Sequence, residues 1–264
     1  MQKKREWTWY GPHRAVLLVA AGTMWLTACG ATGTNGSGSS TDSAGASPSS
    51  AATSPATATA ENTPAPANGA AGGQGSLPRI VVLGTSLTAG LGLDPDDAYP
   101  ALLQAKADSA GLAVKIVNAG LSGETSAGAL RRAGWVLDQP AALVVLEVGA
   151  NDGLRGVDPD STYANLVKLV ETVKAQRPGA DIALVQMEAP SNLGGTYTTR
   201  FHEAYVRASK TTGVPLWPFL LDGVAGVARL NQADGIHPNE QGSRIVAATM
   251  WKAMEPALRS LPSP

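Results

Sequence analysis

The sequence predicts an α/β fold, a three-layer α/β/α sandwich around a five-stranded parallel sheet, and three observations lead there. Five short apolar runs, rich in Val, Ile and Leu, alternate with stretches of helical periodicity along residues 77–264. The runs are unbroken rather than alternately polar, which marks strands covered on both faces. The stretches between them are long enough to be crossover helices, as parallel neighbours require. At about 190 residues, this part of the chain makes one domain.

The elements follow in order. Ile80–Leu83 reads as the first strand, stopped by Gly84, with Ser86 two residues beyond it. A helical stretch near Ala98–Ala110 leads to the second strand, Val114–Asn118, and Ser126–Leu137 leads to the third, Leu143–Val148. In the next helix, Ser161–Gln176, the residues Leu166, Leu169, Val170 and Val173 keep an i, i+3, i+4, i+7 face, with Asp160 or Ser161 placed to cap it. Ile182–Met187 is the fourth strand, Tyr197–Thr211 a helix, and Val214–Phe219 the fifth strand. Gln241–Leu258 closes the chain, with Val246, Met250, Ala253, Met254 and Ala257 on its apolar face and Asn239 as its cap.

The first 76 residues have a different composition. Lys3, Lys4, Arg5 and Arg14 precede an apolar stretch, Ala15 to Ala28, too short for a comfortable membrane span. Residues 1–28 therefore read as a secretory signal. Its end, Leu26-Thr27-Ala28-Cys29, resembles the bacterial lipobox, and Cys29 is the one cysteine in the chain. That resemblance implies cleavage before Cys29, acylation of its thiol and an extracytoplasmic protein anchored by lipid to a bacterial membrane. Residues 29–76 are Ser, Thr, Ala, Gly and Pro with almost no large apolar side chain, the composition of a disordered tether. As a flexible coil this tether spans roughly 35–40 Å. A single cysteine excludes a disulfide within the chain, and a formal charge of −1 without basic blocks in the folded part gives no footprint for nucleic acid.

The candidate chemistry collects just after strands one, two, three and five, at one edge of the sheet, where open α/β folds place their sites. A serine there, Ser86, suits a nucleophile with an exposed hydroxyl at a helix start. Of three histidines, His13 lies in the expected signal and His202 in a polar helical stretch that reads as solvated. His237 stands in Asp234-Gly235-Ile236-His237-Pro238-Asn239, where a carboxylate three residues back can meet Nδ1 and fix the tautomer. Gly123, in Leu121-Ser122-Gly123-Glu124-Thr125, permits a close backbone approach, and Asn151, after Glu147-Val148-Gly149-Ala150, can aim an amide at an oxyanion. Met187, Leu193 and Tyr197 are open to acyl contact or to ordinary packing. No cluster has metal-ligand spacing, so no metal is expected, and no phosphate-cradling glycine motif is present. No cofactor is implied.

Taken together, Gly84-Thr85-Ser86-Leu87, Ser122-Gly123-Glu124-Thr125, Gly149-Ala150-Asn151-Asp152 and Asp234-Gly235-Ile236-His237-Pro238-Asn239 resemble the four motif blocks of the GDSL, or SGNH, hydrolases. The resemblance covers residues 77–258 and implies a flavodoxin-like sheet order. It also implies Ser86 as nucleophile, His237 as base, Asp234 as its partner, and an oxyanion hole of the Ser86 N–H, the Gly123 N–H and the Asn151 side chain. The run Asn151-Asp152-Gly153-Leu154-Arg155-Gly156 looks most like the arylesterase, lysophospholipase and acyl-thioesterase branch, hence a small ester substrate hydrolysed through an acyl-enzyme. The oligomeric state is left open. One position departs: the usual Gly-Asp-Ser is Gly84-Thr85-Ser86, so the carboxylate beside the nucleophile is missing. Competing readings are a carbohydrate or peptidoglycan O-deacetylase, a non-catalytic tethered binding module, and a flavodoxin-like nucleotide binder.

Overall fold

In the computed structural model, residues 77–261 are described; the expected signal 1–28, Cys29, the tether 29–76 and residues 262–264 lie outside them. Five strands make one sheet: β1 (Arg79–Gly84), β2 (Lys115–Gly120), β3 (Leu143–Glu147), β4 (Asp181–Val185) and β5 (Leu216–Trp217). Their order is β2-β1-β3-β4-β5, and every pairing is parallel. The helices are α1 (Ser86–Ala89), α2 (Tyr99–Ser109), α3 (Ser126–Val136), α4 (Ala150–Leu154), α5 (Pro159–Gln176), α6 (Gly195–Thr212) and α7 (Glu240–Ser260). α2 packs with α7, while α5 packs with both α3 and α6, so helices cover the sheet in two layers. Ile80 through Leu83 and Leu143 through Leu146 are at most 2% exposed, as strands covered on both faces must be.

The sheet order decides where a ligand can sit. The chain leaves β1 toward β2 on one side and returns to β3 on the other. The two crossovers diverge above the carboxyl end of β1, which opens a crevice there. In register, Gly84 lies between Gly120 of β2 and Glu147 of β3. The loops that follow these three residues surround one point.

Some boundaries differ from those the sequence suggests, each for a local reason. β5 is two residues long rather than Val214–Phe219, because Pro215 and Pro218 flank it without N–H groups to donate. β2, an edge strand, is only partly covered. α5 begins at Pro159, not at a cap on Asp160 or Ser161; the proline presets φ and needs no donor partner. Asp160 instead binds Arg200 and Arg207 of α6. Asn239 caps α7 as expected, its Oδ1 accepting the Gly242 N–H at 3.1 Å. Among the described residues, no helix is long and apolar enough to cross a membrane.

Candidate active site

Gly84 ends β1 and Thr85 turns the chain into α1. Thr85 is extended, at φ −98° and ψ −155°, and its hydroxyl oxygen accepts the Leu87 N–H at 3.4 Å, so it caps the short helix that Ser86 begins. Gly90 closes that helix in the left-handed region, at φ +75°, where a side chain would also run into Ala98. Contrary to the exposed hydroxyl expected from the sequence, Ser86 is only 7% exposed. The turn is tucked under the loop that carries His237.

That loop is fixed at both ends. Asn231 and Pro238 form an antiparallel bridge, Gln232 N–H donates to the His237 carbonyl at 2.8 Å, and the Gln232 amide reaches the Leu91 carbonyl beyond α1 at 2.7 Å. Gly235 takes φ +72° to let the chain double back. One oxygen of Asp234 accepts the backbone N–H groups of Ile236 and His237, and the other lies 2.6 Å from His237 Nδ1. His237 Nε2 is 2.9 Å from Ser86 Oγ. Burial opposes ionisation of Asp234, but the hydrogen bonds from the His237 ring and the two backbone N–H groups outweigh it and hold its carboxyl below the ordinary value. An ionised Asp234 keeps the proton on Nδ1, which leaves Nε2 as an acceptor facing the serine hydroxyl.

The two other loops are braced to the same point. Leu121 N–H donates to the Gly84 carbonyl at 2.9 Å, and Gly123 follows at φ +77°. The Arg132 guanidinium grips Glu124 with bonds of 2.6–2.8 Å and also reaches the carbonyls of Gly84 and Ala119. Asn151 Nδ2 donates to the Glu124 carbonyl at 3.0 Å, which fixes the amide plane and leaves its second N–H for a ligand. α4, which carries Asn151, is tied down by the buried Asp152, whose carboxylate accepts the N–H and hydroxyl of Ser126. Gly149 enters α4 at φ +95°, against the hydroxyl of Tyr205, which donates to the Val148 carbonyl at 2.8 Å.

Ser86, Asp234 and His237 thus form one hydrogen-bonded line, and the Gly123 and Asn151 loops flank it. His202 is elsewhere, half-exposed and bonded to Glu188 at 2.7 Å. Met187 is buried core, and Tyr197 packs on Phe201 and donates to the Val157 carbonyl. Among the described residues, no group of three or more His, Cys, Asp and Glu could hold a metal. Sequence reasoning gave no role to Glu147, Arg132, Asp152 or Tyr205. The signal for Glu147 was a charged residue closing an otherwise apolar buried strand, a position that burial makes costly without partners.

The GDSL-like lipase/acylhydrolase family matches residues 82–245. The chain belongs to this family. It is 38% identical to the esterase TesA of Pseudomonas aeruginosa over 70% of this chain and 92% of that one. It is 37% identical to the thioesterase 1/protease 1/lysophospholipase L1 of Escherichia coli over 67% of this chain and 83% of that one. The psychrotrophic esterase EstA of Pseudoalteromonas sp., solved with monoethylphosphonate as inhibitor, shares the fold with a TM-score of 0.65 at 34% identity, covering 69% of this chain and 99% of that one. The sheet and helices are those of an SGNH hydrolase, and family membership makes the chain an ester hydrolase of the GDSL type.

Proposed function

We propose that the protein is a serine esterase working through Ser86, His237 and Asp234. The Asp234–His237–Ser86 line, with bonds of 2.6 and 2.9 Å, is the observation that carries this reading. Ser86 Oγ attacks the ester carbonyl while His237 Nε2 takes its proton, and Asp234 holds the imidazolium that results. The Ser86 N–H, the Gly123 N–H and the Asn151 amide receive the oxyanion. Collapse of the tetrahedral intermediate expels the alcohol or thiol, protonated by His237, and leaves an acyl-Ser86 ester. Water, activated by the same imidazole, then releases the acid.

Beside Ser86 and His237 runs a narrow apolar crevice walled by Leu91, Leu93, Leu220, Leu221 and Val246, which favours short-chain or aryl esters. Gly123 borders a second groove, which also carries Glu124, Arg131, Arg132 and Arg155. Arg132 is paired with Glu124, whereas Arg155 donates to the Gly123 carbonyl at 2.9 Å. This basic wall favours a second substrate class, esters with an anionic leaving group such as lysophospholipids or acyl thioesters of phosphate-bearing thiols. The reading of residues 1–76 as signal, acylated Cys29 and tether puts this chemistry outside the cytoplasm, on a lipid anchor.

Fluorophosphonate labelling tests the nucleophile: it should modify wild type at Ser86 and leave Ser86→Ala unmodified. A hydrolysis profile over acyl chain length, with lysophospholipid and an acetylated sugar included, then sets the substrate class. Preference for the acetylated sugar would replace the esterase reading with the O-deacetylase, and no labelling at all would favour a binding module.

A further inference from the structure

Glu147 is the last residue of β3, 0% exposed, and lies opposite Gly84 in the register. Its side chain crosses the end of β1, and it can do so because Gly84 has no side chain: a Cβ there would fall 2.5 Å from Glu147 Oε2. The hydrogen bonds its carboxylate accepts all come from residues that flank Ser86. The Thr85 N–H donates to Oε2 at 3.0 Å, the Thr85 hydroxyl lies 3.1 and 3.2 Å from the two oxygens, and the Thr88 hydroxyl donates to Oε2 at 2.7 Å. With its proton given to Glu147, Thr88 Oγ1 accepts from the Tyr99 hydroxyl at 2.8 Å. Asn118 of β2 holds the Thr88 carbonyl from the opposite side at 2.8 Å.

Among the described residues, no lysine, arginine or histidine is bonded to this carboxylate, so no ion pair with them offsets its burial. An apolar side chain would fill the same place at lower cost if packing were the whole purpose. What the carboxylate adds is directional. Accepting the Thr85 N–H fixes the Gly84–Thr85 peptide plane, one residue before Ser86, and accepting from Thr88 fixes the end of the same helical turn. Serine Oγ must lie within about 3 Å of His237 Nε2 to give up its proton, and small misplacements of such atoms are felt strongly in rate.

We propose that Glu147 is a positioning residue for catalysis, which aims the Ser86 hydroxyl at His237 through Thr85 and Thr88 and touches neither substrate nor the reacting atoms. The proposal rests on the reading of Ser86 as nucleophile. A positioning role acts on the chemical step, so it appears in kcat and in the rate of fluorophosphonate capture, with KM little changed. In Glu147→Gln the amide oxygen can keep the Oε2 place, where it accepts from the Thr85 N–H and the Thr88 hydroxyl. The NH₂ then stands at the Oε1 place, the Thr85 hydroxyl must turn from donor to acceptor, and the charge-assisted hold on the turn is lost.

The test compares wild type, Glu147→Gln, Thr88→Val and Thr88→Ser on p-nitrophenyl butyrate, with fluorophosphonate labelling rates taken on the folded fraction. Glu147→Gln should lower kcat and the labelling rate about 10- to 100-fold with KM within about twofold. Thr88→Val, which keeps the shape and removes one donor, should lower kcat with KM held, and Thr88→Ser should recover most of that loss. Wild-type kcat in folded Glu147→Gln overturns the proposal. If that variant does not fold, equal kcat in Thr88→Val and Thr88→Ser overturns it instead. Labelling of wild type at Ser86 is read separately, so failure of the nucleophile assignment is distinguishable from failure of the positioning role.

Discussion

Replacing Thr85 by Asp restores the residue usual beside a GDSL nucleophile, and the structure shows what it would meet. Thr85 Oγ1 lies 3.1 and 3.2 Å from the two oxygens of Glu147, and both residues are at most 1% exposed. Burial already raises the Glu147 carboxyl from 4.5 to about 7, against the hydrogen bonds from Thr88 and Thr85 that favour its ionised form. A second carboxylate about 4 Å away adds roughly 4 kcal/mol of repulsion at an effective dielectric near 20. The pair will therefore hold one shared proton well above pH 7, as like charges in one site do.

The consequence for stability has a definite sign. In wild type, the folded state binds a proton that the unfolded chain has released between pH 4.5 and about 7, so stability from Glu147 is full below 4.5 and is lost as pH rises through about 7. Above that pH this group contributes no further slope. In Thr85→Asp the shared proton persists, so folding stability continues to fall by about 1.4 kcal/mol per pH unit above 7. Urea denaturation at pH 5, 7 and 9 should show wild type and variant nearly parallel from 5 to 7. They should then separate by a further ~2–3 kcal/mol from 7 to 9. The reaction type should not change, and kcat/KM at pH 7 should stay within about a hundredfold, or ~2.7 kcal/mol in the barrier. A stability difference that is the same at pH 7 and pH 9 would refute the shared-proton argument.

Four other outcomes are expected. Ser86→Ala should abolish p-nitrophenyl acetate hydrolysis while changing unfolding free energy by about 1 kcal/mol or less, since one hydroxyl is removed without a cavity. His237→Ala should be as damaging as Ser86→Ala, with His202→Ala close to wild type; the reverse pattern in a side-by-side assay would move the base to the Glu188–His202 pair. Gly149→Ala should lower stability by ~2–4 kcal/mol in urea titration, because φ +95° is strained for alanine and its methyl would overlap the Tyr205 hydroxyl that serves the Val148 carbonyl. Cys29→Ser should shift the protein from the membrane fraction to the soluble one at unchanged specific activity, and unaltered membrane association would reject lipid attachment at that residue.

The fold was legible where periodicity had length to work with. β1 and β3 are continuous apolar runs, and the faces of α5 and α7 repeat over several turns, so their places in the chain are close to those observed. α1 and α4, with four and five residues, span little more than one helical turn, too short for a periodic face to repeat. They exist because a glycine or threonine at the strand end turns the chain and the first helical turn is held by contacts to distant residues. β5 was overextended because Val, Leu, Trp and Phe suggest a strand while two prolines limit its pairing, and hydrogen-bond supply wins over side-chain preference.

The site divides in the same way. Ser86, Gly123, Asn151, Asp234 and His237 were legible because each stands in a short run whose residue types have few other uses together at strand ends. What holds them could not be read, since each brace joins residues far apart in sequence: Glu147 to Thr85, Arg132 to Gly84, and Asp152 to Ser126. Two of the three braces are carboxylates, and all reach across the carboxyl edge of the sheet. Arg132 and Asp152 secure the Gly123 and Asn151 loops, and Glu147 secures the Ser86 turn, to which Arg132 adds its bond to the Gly84 carbonyl. Thr85 brings a hydroxyl donor where the family's motif has a carboxylate, and that donor is met by Glu147. The turn needs an acceptor for its N–H and hydroxyl donors, and in this chain that acceptor arrives from β3 rather than from the motif itself. A motif search weighs the residue at position 85, but the geometry depends on the residue 62 positions further along the chain.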